Sequence, residues 1–184
     1  WIGLVGSEMC IRDRNKKDNW VFLMQQKFYE EGKSIKLINS SVSGDTTGGG
    51  LGRLAKNLKK FNPDFVLIEL GGNDALRGYS INLIKSNLEK MIALAKQNKS
   101  KVLLMQIRIP PNYGQKYTHA FEKIYVDLAQ TEEVYLLPFM LEEIGINSEL
   151  MQPDGIHPNK KAQPQIAKEM KKNIDKFLLF NQSN

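Results

Sequence analysis

The chain has 184 residues, 41% hydrophobic and 25% charged, with a formal net charge of +6. That length fits one domain burying roughly 70% of its unfolded surface, which excludes a disordered chain and a small scaffold dependent on disulfides or metal. One cysteine, Cys10, and two histidines, His119 and His157, exclude a disulfide framework, a multi-thiolate zinc site and a histidine-only metal cage. No apolar run approaches the roughly 18 residues of a membrane span. The positive charge comes from 21 lysines against five arginines, scattered and not interleaved with aromatics. Base readout and bidentate phosphate contacts favour arginine, so the charge reads as a solvated coat and not as a nucleic-acid surface.

Short apolar runs bounded by Gly, Pro, Asn or Asp predict buried parallel strands at Ile2–Val5, Ile35–Asn39, Phe65–Leu70, Lys101–Ile107 and Val134–Leu137. Amphipathic segments between them predict helices over Trp20–Tyr29, Leu51–Phe61, Ile81–Gln97, Tyr117–Ala129 and Gln163–Phe180. Strand–helix alternation along the whole length predicts an α/β fold, a three-layer arrangement around a parallel sheet, in one domain over 1–184. In such sheets, sites gather at the carboxyl ends of the strands, so the loops that follow the strands carry the functional information.

The loop after the second strand, Ser40–Gly52, is glycine-rich. It lacks the Lys-Ser/Thr ending of a P-loop, and Arg53 stands where a G-x-G-x-x-G pattern needs its third glycine. Two readings remain: a plain turn with Thr46 or Thr47 capping the next helix, or a turn that presents the Gly44 backbone N–H as an oxyanion donor. After the third strand, Gly71-Gly72 permit a sharp turn, and Asn73 either offers its amide at the strand end or caps the next element. After the fourth strand, the adjacent Pro110 and Pro111 stiffen Arg108–Gly114, as a pocket wall or a rigid connection. Near the C-terminus, Pro153-Asp154-Gly155-Ile156-His157-Pro158 sets an aspartate three residues before a histidine in a tight turn. An aspartate accepting from Nδ1–H fixes a histidine's tautomer and stabilises its charged form, although an exposed surface turn has the same sequence. His119, within a helical pattern, reads as a solvated position.

Taken together, these stretches resemble the SGNH (GDSL-type) hydrolases, and most closely their bacterial thioesterase, lysophospholipase and arylesterase branch. The matching blocks are Asn39–Thr47, Glu69–Gly78 (ELGGNDALRG), Gln106–Gly114 (QIRIPPNYG), Leu136–Phe139 (LLPF) and Met151–Pro158 (MQPDGIHP). The resemblance implies a flavodoxin-like α/β/α sandwich and hydrolysis of acyl esters or thioesters, lysophospholipids among them, without metal or cofactor. By motif it makes Gly44 and Asn73 the oxyanion donors, His157 the general base and then acid, and Asp154 its orienting partner. Arg108, Ile109, Pro110, Asn112 and Tyr113 would lie beside the acyl chain. Family members of this branch are often periplasmic or exported.

The nucleophile's place after the first strand departs from the family's Gly-Asp-Ser-Leu block. Ser7 is the one serine before Trp20, with Gly6 where aspartate belongs. Residues 4–14 resemble a translated sequencing-adaptor tail. On that reading residues 1–14 are non-native, authentic sequence resumes near Asn15, and the natural nucleophile lies outside this chain. The competing functions are a carbohydrate-ester deacetylase of the same family and a non-catalytic binding module that keeps the groove. A flavin-binding flavodoxin-like protein is disfavoured, because Glu8 and Asp13 would repel a phosphate after the first strand.

Overall fold

A computed structural model describes residues 1–6 and 19–182. The chain divides into two compact units: residues 1–6 with 37–139, and residues 19–36 with 140–182.

The first unit is built on a parallel sheet of five strands: β1 (Ile2–Gly6), β2 (Leu37–Asn39), β3 (Phe65–Glu69), β4 (Lys101–Met105) and β5 (Tyr135–Leu137). Their order is β2-β1-β3-β4-β5, the order of flavodoxin-like sheets, and every neighbouring pair is parallel. The direction of strand addition reverses at β1, so the carboxyl ends of β1 and β3 flank the topological switch point. These two strands pair along their full length, from Ile2 opposite Phe65 to Gly6 opposite Glu69. Helices α2 (Thr47–Phe61), α4 (Ile81–Gln97) and α5 (Gln115–Thr131) pack side by side and against the sheet. Their apolar faces, with Leu54, Ile84, Leu88, Met91, Phe121 and Leu128 among them, are buried. A five-residue helix, α3 (Gly72–Leu76), follows β3.

In the second unit, α1 (Trp20–Glu30) lies against α6 (Gln163–Gln182). The Trp20 N–H donates to Oε1 of the buried Gln163 at 3.1 Å, which ties the start of one helix to the start of the other. Lys171, midway along α6, pairs with Glu31 at the end of α1 and with Asp175 one turn further along α6, each at 2.7 Å. Among the described residues no helix is long and apolar enough to cross a membrane.

The α/β class and the parallel sheet are as the sequence predicts, and the differences have local causes. The second strand begins at Leu37, not Ile35, because its register starts with Leu37 opposite Ile2, the first strand residue of β1. It is a half-buried edge strand, not buried on both faces. The fourth strand ends at Met105, although the Gln106 N–H still donates to Leu137 O at 2.9 Å. Helix α2 starts four residues before the predicted Leu51, through three consecutive glycines that intrinsic propensity disfavours. Thr46 caps that first turn by accepting from Gly49 N–H, and a Cβ on Gly50 would lie 2.2 Å from Leu70 Cδ1. Gly50 is there for close approach to Leu70, just past β3, and Gly49 for close approach to Asp45, not for a loop. Helix α3 has no periodic signature because it is shorter than two turns.

The entry to α3 depends on Gly71, whose φ is +118° and whose added Cβ would lie 2.1 Å from the Tyr125 hydroxyl. That buried hydroxyl donates to Leu70 O at 2.8 Å. Gly71→Ala therefore meets both backbone strain and a clash, and thermal unfolding should show it destabilised by about 2 kcal/mol or more. Gly52, exposed on α2, gives the opposite result, because an added methyl group there would have nothing within 4 Å. Gly52→Ala should stabilise by about 0.5–1 kcal/mol, and a destabilised Gly52→Ala would refute this account of α2.

Candidate active site

The loop after β3 meets the turn at Gly44–Asp45 in the loop after β2. Gly44 adopts φ +72°, a left-handed conformation that glycine accepts without cost. The polar groups around it are engaged. Arg77 Nη2 donates to Gly44 O at 3.1 Å, Asp45 N–H donates to Val42 O at 3.2 Å, and Asp45 O accepts from Asn73 Nδ2 at 3.0 Å. The Asp45 carboxylate accepts from Thr46 N–H at 2.9 Å and pairs with Arg53. The Gly44 N–H finds no acceptor among the described residues. A primary amide has two N–H donors, so Asn73 spends one on Asp45 and keeps a second in fixed orientation. Asn73 does not cap α3; the capping position is Gly71.

Beneath this turn lies a buried polar network that sequence reasoning missed. Asp74, 1% exposed, accepts from Thr47 N–H at 2.8 Å and from Thr47 Oγ1 at 2.6 Å. Asn87 on α4 completes it by donating to Thr47 Oγ1 at 3.0 Å. A carboxylate at the first turn of α2 satisfies orphan N–H groups and complements the helix dipole. The network joins α3, which carries Asn73, to α2, which follows Gly44. Asp74 and Arg77 stand inside the ELGGNDALRG block, so their neighbourhood was legible; their partners, 27 and 33 residues away, were not.

Asp154 and His157 belong to the second unit, where one short loop holds them in contact. Gly155 turns the chain with φ +68°. Gln152 N–H donates to His157 O at 2.7 Å, and Met151 bridges Pro158. Asn159 secures the base of the loop by donating from Nδ2 to Glu149 O at 2.7 Å and Met151 O at 3.0 Å. Asp154 Oδ1 accepts from the backbone N–H groups of Ile156 and His157, both at 3.0 Å, and Oδ2 lies 2.7 Å from His157 Nδ1. Partial burial pushes the Asp154 carboxyl up, but these bonds from His157 and Ile156 outweigh it and hold the group below its ordinary value. The carboxylate is thus kept ionised, and it fixes Nδ1 as the imidazole's donor atom, leaving Nε2 as the acceptor.

The loop after β4 forms a 3-10 turn over Pro111–Tyr113 and ends at Gly114 with φ +92°. Ile109 is buried, whereas Arg108, Asn112 and Tyr113 are exposed. His119 is exposed on α5, the solvated position that its surroundings suggested. Ser7 lies outside the described residues. No group of three or more His, Cys, Asp or Glu suited to a metal is found among the described residues. A groove of about 500 Å³ between α1 and α6 is lined by lysines, Glu30, Glu31, Asp175 and Leu179, and contains none of the candidate residues.

Glu69, the last residue of β3, is 4% exposed, and its Oε1 has no hydrogen-bond partner among the described residues. A Cβ on Gly6 would lie 2.6 Å from its Oε2, so glycine at the end of β1 makes room for this carboxyl. Burial pushes the Glu69 carboxyl well above the usual carboxylate range. The folded chain then keeps a proton that the unfolded chain releases near 4.5, so stability falls as pH rises from 4.5 through the folded value. Glu69→Gln should remove that loss: its melting temperature gains on the parent as pH rises above 4.5. Parallel Tm–pH curves would show that Glu69 is not held neutral.

Comparison with known proteins bears on this arrangement. The family model for GDSL-like lipases and acylhydrolases matches residues 5–163. An arylesterase of Vibrio mimicus is 47% identical over 160 residues, covering 87% of this chain and 80% of its own length. Esterase TesA of Pseudomonas aeruginosa is 45% identical over 147 residues, covering 80% of this chain and 73% of its own. The thioesterase 1/protease 1/lysophospholipase L1 of Escherichia coli is 44% identical over 155 residues, covering 84% and 73%. Among solved structures, the esterase EstA of Pseudoalteromonas sp., in a form inhibited by monoethylphosphonate, superposes with a TM-score of 0.93 at 39% identity, covering 96% of this chain and 97% of its own. With the family model and these relatives agreeing over most of its length, this chain belongs to the GDSL-like lipase/acylhydrolase family, the SGNH hydrolases.

Proposed function

We propose that this chain hydrolyses acyl esters and thioesters of the kind its esterase and thioesterase relatives are named for, through a Ser-His-Asp mechanism. The observation that carries the reading is the Asp154–His157 pair, a 2.7 Å contact to Nδ1 that leaves Nε2 as a base. A serine leaving β1 attacks the acyl carbon while His157 Nε2 takes its proton. The carbonyl oxygen becomes an oxyanion and accepts from the Gly44 N–H and the second N–H of Asn73. Collapse of this intermediate expels the alcohol or thiol, protonated by His157, and leaves an acyl-serine. Water then repeats the sequence and releases the acid. Asp154 stays ionised throughout and stabilises the imidazolium. The chemistry uses groups of the chain alone, with no cofactor. Ser7 occupies the nucleophile's place in this sequence, and the Arg108–Gly114 loop, with Ile109 as its apolar member, is the proposed wall of the acyl site. The named relatives do not favour a carbohydrate-ester deacetylase.

Hydrolysis of a medium-chain p-nitrophenyl ester tests the reading. A serine-directed phosphonate should abolish activity and add its mass to the peptide that contains Ser7. Asn73→Ala should lower kcat by about 10²-fold with the fold intact by circular dichroism. Activity that survives both the phosphonate and His157→Ala would overturn the mechanism, and a fully active Asn73→Ala would remove Asn73 from it.

A further inference from the structure

Arg53 on α2 touches three separate stretches of chain with three different nitrogens. Nε donates to Ser40 O, just past β2, at 3.3 Å. Nη2 donates to Gly6 O, the last residue of β1, at 3.5 Å. Nη1 pairs with the Asp45 carboxylate, next to Gly44. The pair is largely covered, with side-chain exposures of 24% and 11%. A guanidinium presents donors in a rigid planar fork, which a lysine ammonium cannot match, and the chain places one of its five arginines here among 21 lysines. The site is built to admit the carboxylate: a Cβ on Gly49 would lie 1.9 Å from Asp45 Oδ1.

From this geometry we infer that the Arg53–Asp45 pair is a positioning clamp for catalysis: it holds the Gly44–Asp45 turn and the end of β1 at a fixed spacing. The inference rests on Gly44 and Asn73 being the oxyanion donors. Asp45 is the shared element, since its carboxylate is held by Arg53 and its carbonyl by Asn73. Displacing it moves the Gly44 peptide and frees the Asn73 amide together. The same guanidinium reaches the last described residue before the nucleophile's place, so the donors and the attacking group are set against one reference point. Oxyanion stabilisation acts only when donors sit within about 0.5 Å of their productive positions, so loosening the clamp lowers turnover more than substrate binding.

The test uses Arg53→Met, which keeps the stem and removes every donor, Arg53→Lys, and Asp45→Asn, which keeps the shape and removes the charge. Arg53→Met and Asp45→Asn should lower kcat about tenfold or more with KM within about twofold, and Arg53→Lys should fall between them and the parent. In ¹⁵N-resolved NMR spectra of the same proteins, the Gly44 backbone amide and the Asn73 side-chain NH₂ should shift and broaden while core amides stay in place. Combining Arg53→Met with Asn73→Ala should cost less than the product of the two separate losses, because both act on one oxyanion. Gly44 and Asn73 resonances that stay in place in Arg53→Met, or separate losses that multiply, would overturn the clamp. Should Arg53→Met fail to fold, Asp45→Asn carries the same two readouts. An Asn73→Ala variant with full kcat would instead overturn the oxyanion reading itself, so the two failures are distinguishable.

Discussion

The parallel pairing of β1 with β3 is the constraint on which the cluster around Gly44 and Asn73 depends. Five consecutive residue pairs, from Ile2–Phe65 to Gly6–Glu69, bring both strands to an end at the same height. A parallel strand cannot turn back on its neighbour; it must leave by a loop and a crossover. Two exits therefore lie side by side where the strand order reverses, and a third, after β2, lies beyond β1. Asn73 follows the exit from β3, and Gly44 the exit from β2.

Close packing at these exits is achieved by omitting side chains. Gly6 yields space to the Glu69 carboxyl, Gly50 to Leu70, Gly49 to Asp45 and Gly71 to the Tyr125 hydroxyl. At each place a methyl group would sit within about 2.6 Å of another atom, closer than van der Waals contact allows. Polar groups enter the space so made. The result is a shelf of hydrogen-bonded carbonyls and carboxylates in which the Gly44 N–H and one N–H of Asn73 find no acceptor among the described residues. Two of the five arginines, Arg53 and Arg77, are spent on this shelf, while the lysines populate exposed positions and surface ion pairs that contribute little each. In a chain so biased toward lysine, an arginine beside a loop is a signal of fork-shaped recognition that the residue counts already contain.

The Asp154–His157 pair is of a different kind. Its geometry is almost entirely local: three residues of separation, a left-handed Gly155, and a loop closed by Gln152 and Asn159. Local order of that sort is encoded in a hexapeptide, which is why Pro153–Pro158 stands out in the sequence alone. The same holds for the strands, whose apolar runs and terminators depend on near neighbours. It fails for α2, where the glycines that read as a loop are helical because β3 and Asp74 demand and support them.

Periodicity and residues a few positions apart were enough to establish the alternation of strands and helices and the α/β class, and they offered the contact of Asp154 with His157 as one of two readings of its turn. The bracing of the end of β1 and the loops after β2 and β3 against one another was settled only by the folded arrangement. Thr47 meets Asp74, Arg53 meets Gly6 and Asp45, and Tyr125 meets Leu70 across separations of 8 to 55 residues. Such bonds form because buried polar groups must find partners once the backbone has brought them together, and chain order does not say which partner will be within reach.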